Sequence, residues 1–140
     1  MKKNECRKLI VLFSHFLTES QKEEIFNVFN ITQIIDPPDR VRETMRNIPP
    51  ALESIKDPLS FIIDWLKINL SPQDYVLIQG EFGATFLLVD AVFKLGGIPI
   101  YSTTKRIHTE TRECEQVHIE KIFEHERFRV YEKYDREGVL

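Results

Sequence analysis

The sequence predicts a small, doubly wound α/β sheet, and three observations predict it. "KLIVLFSH" (Lys8 to His15) is an unbroken β-branched and aliphatic run, as expected of a strand buried on both faces of a parallel sheet. Strand-like and helix-like stretches alternate from there to about Thr104. The links between them are short, which favours parallel pairing through right-handed crossovers.

Each element has its own local signal. Thr18 and Gln21 spell a capping box, and Ile25, Val28 and Phe29 follow at helical spacing, so a helix crosses over after the first strand. "ITQIID" reads as the second strand, ended by Pro37 and Pro38, and "DRVRETMRN" as a short helix stopped before Pro49 and Pro50. Asp57 is the expected N-cap of the next helix, with Pro58 at its first position and Phe61, Ile62, Trp65 and Leu66 on its apolar face. "DYVLIQG" is the third strand, "ATFLLVDAVFKLGG" a helix stopped by Gly96 and Gly97, and "IPIYSTT" the fourth strand. The parallel core therefore spans about residues 8–104 of a single domain. Residues 105–134 read as an antiparallel β-hairpin with Val117, Ile119 and Ile122 facing inward, and 135–140 as a loose tail.

Composition narrows the function classes. A chain of 140 residues, 42% hydrophobic and 29% charged, is long enough for one core. Its formal charge of -3 offers no broad basic surface for duplex DNA, so an anion site has to be a local pocket. Cys6 and Cys114 form no C-x-x-C pair and no apolar leader follows the charged start, which suits a reduced, cytoplasmic protein. Apolar runs such as "TFLLVDAVF" fall short of the roughly 20 residues that span a bilayer.

Open parallel sheets bind ligands beyond the carboxyl ends of their strands, where strand order reverses. The expected rim comprises Ser14 and His15 after the first strand and Gln79, Gly80, Glu81, Phe82 and Gly83 after the third. Ser102, Thr103, Thr104, Lys105 and Arg106 come from the fourth. The turn from Gly80 through Ala84 to Thr85 opens a helix whose first N–H groups suit a phosphate or carboxylate; the alternative is a tight turn in which Gly83 relieves a positive φ. Lys105 and Arg106 beside "STT" suit phosphate oxygens, or else form a solvated surface. His15 is a general base, a stacking ring, or a loop-bonding histidine. Arg127 and Arg129 in "FEHERFRVY" either grip phosphates beside stacked bases or guard an edge strand. His108, His118 and His125 lack metal spacing, so no metal site and no cofactor is expected.

Together "LFSHFLTESQ", "IQGEFGATF", "YSTTKR" and "FEHERFR" resemble a small family of CRISPR-associated Csx-type proteins, the member numbered twenty. The resemblance covers nearly the whole chain. It implies a Rossmann-like fold of the CRISPR-associated type, with helices on both faces of the sheet, and a homodimer serving type III antiviral systems. It further implies a ring nuclease that opens cyclic oligoadenylate, commonly cyclic tetra-adenylate, without a metal. In-line attack by a ribose 2′-hydroxyl would leave a 2′,3′-cyclic phosphate, with positioning and charge stabilisation supplying the catalysis. On that reading Thr103, Thr104, Lys105, Arg106 and the backbone of Phe82 to Thr85 stabilise the transition state. Ser14 orients the ribose, His15 transfers the proton, Phe16 or Phe82 stacks on adenine, and Arg127 and Arg129 close over the ring.

Two other readings compete. One is a sensor that binds the ring uncut and acts through a partner effector. The other is a flavodoxin-like or phosphatase-like enzyme, for which the chain lacks a cysteine or a carboxylate directly after the first strand.

Overall fold

A computed structural model describes residues 7–113 and 115–135. The chain runs β1 (Arg7–Phe13), α1 (Glu19–Asn27), β2 (Ile31–Ile35), α2 (Asp39–Arg46), α3 (Lys56–Asn69), β3 (Tyr75–Gln79), α4 (Phe82–Lys94), β4 (Ile98–Glu113) and β5 (Gln116–Val130). The strands form one five-stranded sheet in the order β2-β1-β3-β4-β5. The first four run parallel and β5 returns antiparallel to β4. This is the mixed α/β architecture that the alternation predicts.

Burial on both faces explains why β1 and β3 are apolar without alternation. Ile10, Leu12, Val76 and Ile78 meet Val41 and Met45 of α2, Leu59, Ile62 and Leu66 of α3, and Ala84, Leu88 and Val92 of α4. On the other face Leu9, Val11, Leu77, Ile100 and Phe128 surround Ile25 of α1. Each such side chain contributes about 1.5–3 kcal/mol by leaving water, so the two clusters fix where every helix sits.

The predicted capping box is present: Gln21 N–H donates to Thr18 Oγ1 at 3.3 Å and Thr18 N–H to Gln21 Oε1 at 2.9 Å. Gly96, with φ +82°, ends α4 in the left-handed conformation expected of a helix-stopping glycine. Asp57, however, is not the cap of α3. The helix begins at Lys56 after Ile55, whose carbonyl accepts Leu59 N–H at 3.2 Å. Ile55 packs against the core, so burial rather than a polar cap sets this boundary.

The larger departure lies in β4. The reading that ends this strand at Thr104 and begins a separate hairpin at Lys105 gives way to one strand of 16 residues. Only Ile98 to Ile100 pair with β3, and beyond Ser102 the strand pairs with β5 alone. The result is a two-stranded ribbon that leaves the carboxyl edge of the sheet. A bulge between Thr103 and Thr104, where Glu126 has no opposite residue, marks its root. Val117 and Ile122, expected to face inward, are 50% and 45% exposed, because β1 and β3 stop at Phe13 and Gln79 and leave nothing to pack against. The side chain of Ile119, together with Cys114 and the tail 136–140, lies outside the described residues. Among the described residues no helix is long and apolar enough to cross a membrane.

Candidate functional site

Strand order reverses between β1 and β3. The chain leaves β1 toward the face covered by α1 and leaves β3 toward the face covered by α4. The crevice between those departures is the place where an open sheet of this kind binds ligands. One lip is the loop Ser14, His15 and Phe16, and the other is Gly80, Glu81 and the first turn of α4.

Helix α2 touches both lips. Arg46 Nη2 donates to the Ser14 carbonyl at 3.3 Å. Met45 Cε lies 3.2 Å from where a Cβ on Gly80 would stand, so a side chain there would press on α2. Between these contacts the Arg42 guanidinium lies 5.0 Å from the centre of the Phe16 ring. Its Nη2 is 3.8 Å from Asp36 Oδ1, and its Nη1 is buried with no hydrogen-bond partner among the described residues. Leaving a buried charged donor unmatched costs about 1–3 kcal/mol or more. Neither arginine is foreseen by the sequence reading, in which "DRVRETMRN" is only a short helix. Their i, i+4 spacing, which puts both on one face of α2, is the signal that could have found them.

The first turn of α4 is partly occupied by the chain itself. Glu81 is the N-cap, and its carboxylate accepts Gly83 N–H at 2.5 Å. A side-chain carboxylate therefore sits where the glycine turn is expected to receive a ligand phosphate. Gly83 does not relieve a positive φ, since among the described glycines only Gly96 has one. Its small size matters instead: a Cβ would stand 3.1 Å from Glu81 Oε1 and 3.2 Å from Ile55 Cδ1. Ala84 is in the core, Thr85 carries a buried Oγ1 with no partner among the described residues, and Phe82 is 93% exposed at the mouth.

The other predicted residues divide. Ser14 and the exposed His15 are at the crevice, with the His15 ring edge-on to Phe13 at 5.2 Å. Gln79 turns away from it, its Oε1 accepting Ser102 N–H at 2.8 Å and so tying β4 to β3. Thr103, Thr104, Lys105 and Arg106 lie within the ribbon rather than at a strand end, so successive side chains point to opposite faces and do not converge. Thr103 Oγ1 donates to the Arg127 carbonyl at 2.9 Å across the ribbon root. Arg106 stacks on Phe123 at 5.4 Å, Arg127 Nε donates to the Phe128 carbonyl at 3.2 Å, and Arg129 Nη1 donates to the Tyr101 hydroxyl at 3.0 Å.

A second polar cluster stands at the ribbon root. His125 Nδ1 meets Ser102 Oγ at 2.5 Å, and its Nε2 meets Glu24 Oε1 at 2.5 Å. Gln21 Nε2 donates to Ser102 Oγ at 3.4 Å, and Phe128 N–H donates to both Glu24 oxygens at 2.9 and 3.1 Å. The order serine, histidine, carboxylate is that of a nucleophilic relay. Here the serine is the buried end and its N–H is already given to Gln79, so the row fastens α1 to the ribbon root instead. Among the described residues no group of three or more His, Cys, Asp or Glu could hold a metal ion.

The profile of the family described as "Uncharacterized protein MJ1673 family" matches residues 7–129. The chain belongs to that family. A curated relative, "Uncharacterized protein MJ1673" of Methanocaldococcus jannaschii, is 39% identical over 127 residues, covering 91% of this chain and 98% of its own length. No solved structure matches the chain to a significant degree. The matched span takes in every residue of the crevice, from Ser14 to Thr85, and the ribbon as far as Arg129.

Proposed function

We propose that this MJ1673-family protein is a ring nuclease with a Rossmann-like fold of the CRISPR-associated type, which binds and opens cyclic oligoadenylate, with cyclic tetra-adenylate as its preferred ring. The observation that carries the reading is the buried, unmatched Nη1 of Arg42 beside the Ser14–Phe16 loop, at the point where the sheet reverses its strand order. A guanidinium held in that state is suited to a phosphate oxygen. The ligand has to be compact, because the formal charge of -3 gives no extended basic surface.

The ring supplies its own nucleophile. A 2′-hydroxyl attacks the adjacent phosphorus, its proton leaves to a base, the P–O5′ bond breaks, and the 5′-oxygen takes up a proton as the 2′,3′-cyclic phosphate closes. Arg42 and Arg46 hold the phosphate, the Ser14 hydroxyl orients the ribose, and His15 moves the proton. Phe16, lying over Arg42, presents a flat surface to adenine. Thr103, Thr104, Lys105, Arg106, Arg127 and Arg129 reach the ring only from the ribbon, which leaves the same edge of the sheet. Two crevices related by a twofold axis match a ring of four like units, which supports a cytoplasmic homodimer as the working form.

The test is incubation of purified protein with cyclic tri-, tetra- and hexa-adenylate in EDTA, with products resolved against synthetic standards. Linear products ending in 2′,3′-cyclic phosphate are expected. Intact rings held in a stoichiometric complex would make the protein a sensor for a separate effector, and intact unbound rings would overturn the reading.

A further inference from the structure

Helix α4 is apolar on two faces. Ala84, Leu88 and Val92 pack into the core, while Phe82, Phe86, Val89 and Phe93 recur in steps of four, three and four along the side that lines a trough, the first two exposed, the last two half-buried and Val89 also touching the core. That 3.5-residue rhythm is the seam of a pair of helices lying side by side. Phe82 is 93% exposed and Phe86 73%, and beside them a trough of about 450 Å³ opens between α4 and the segment that follows β5, walled by Tyr131 and Tyr134. Tyr134 is itself 82% exposed.

We propose that this seam is the interface with a second copy of the chain, α4 lying beside its counterpart with both N-terminal ends on the same side. Three observations select a second copy as the occupant. The heptad spacing pairs like residue with like across a twofold axis, Phe82 with Phe82 and Phe86 with Phe86. The seam's flanks carry both signs, Asp90 with Lys94 at 2.9 Å and Glu132 beside Lys133, so two copies meet without net repulsion. An aromatic side chain buries roughly 150–250 Å², so covering Phe82, Phe86 and Tyr134 in both copies approaches the ~1,200 Å² at which stable interfaces begin. The parallel direction rests on the ring-nuclease reading: only with both N-terminal ends together do the two crevices, each beginning at Gly80 and Glu81, open toward one ligand.

Sedimentation measures the state of the intact chain. A dimer is expected, and Phe86→Glu, at an exposed position that the core does not use, should weaken it about 30-fold or more, as losing a central aromatic contact does. Direction is read in a Cys6→Ser, Cys114→Ser background. A single Phe82→Cys should form an intersubunit disulfide under oxidation, since both seam positions face their own copies. A wild-type monomer overturns the proposal, as does a dimer indifferent to Phe86→Glu. Crosslinking of Phe82→Cys to Phe93→Cys but not to itself overturns the parallel direction alone. Failure of ring cleavage with the dimer and its Phe86 dependence intact would count against the ring-nuclease reading and leave the interface standing.

Discussion

Glu24 of α1 accepts the Nε2–H of His125 of β5 at 2.5 Å, although the two stand 101 positions apart in the sequence. The same carboxylate takes the outward-facing N–H of Phe128, so it caps the edge of the sheet where the ribbon departs. Both side chains are largely buried, at 4% exposure for His125 and 14% for Glu24. Removing one member leaves the other's donors or acceptors stranded. Glu24→Ala is therefore expected to lower unfolding free energy by about 3 kcal/mol, and to expose the Phe128 amide to hydrogen exchange. Urea unfolding and exchange measured together check this; an unchanged Phe128 amide would mean that the contact does not secure the ribbon.

Glu81 makes the opposite trade. As N-cap it satisfies Gly83 N–H, yet its negative charge stands in the crevice assigned to an anion. Glu81→Ala is expected to cost about 1 kcal/mol of stability through the lost cap, while tightening cyclic tetra-adenylate binding about fivefold as a helix N-terminus is uncovered. Calorimetric titration and thermal unfolding of the same variant read the two effects. Weaker binding with the cap gone would make Glu81 a ligand-positioning group instead.

Tyr131 supplies an alkaline signature. Its hydroxyl donates to the Ile78 carbonyl at 2.7 Å, and burial, then the neighbouring Tyr101, raises its pKa above the ordinary 10.0. The unfolded chain ionises first, so its loss of a proton favours unfolding as pH rises. The contribution of Tyr131 is thus intact below about pH 10 and is lost above it, through the raised folded value. Stability measured from neutral to strongly alkaline pH should fall in that window. Tyr131→Phe should start about 1 kcal/mol lower and fall less steeply there.

Much of the sheet could be read in advance, because β1 and β3 are buried on both faces and the Thr18–Gln21 box is purely local. The strand-end rule likewise singled out Ser14, His15 and Gly80, which directly follow β1 and β3 in the structure. It failed for Thr103 to Arg106 because a polar, β-branched run looks the same at a strand's end as in a ribbon held by cross-strand pairs. The spacing of Arg42 and Arg46 puts both on one face of α2 without saying what that face meets, and the Glu24–His125 contact leaves no mark in the sequence. Where α2 docks and which edge α1 covers are decided by tertiary packing between distant segments, on which no local pattern reports.

Arg42 is the residue on which the functional reading stands or falls. A structural arginine would be matched; this one has Nη1 unpaired and a partner, Asp36, at 3.8 Å whose own side chain is 73% exposed. A pair at that separation whose carboxylate is so exposed is worth under about 1 kcal/mol, less than the cost of the buried, unsatisfied donor. Arg42→Ala is therefore expected to leave unfolding free energy unchanged or slightly raised, while cyclic tetra-adenylate affinity drops about 10- to 100-fold, as for one lost charge-assisted contact. Arg42→Lys keeps the charge but not the planar fork, so its affinity should fall between. Urea unfolding beside calorimetric titration decides the matter: a large stability loss with binding untouched would make Arg42 a support for the Phe16 loop and remove the anion from the crevice.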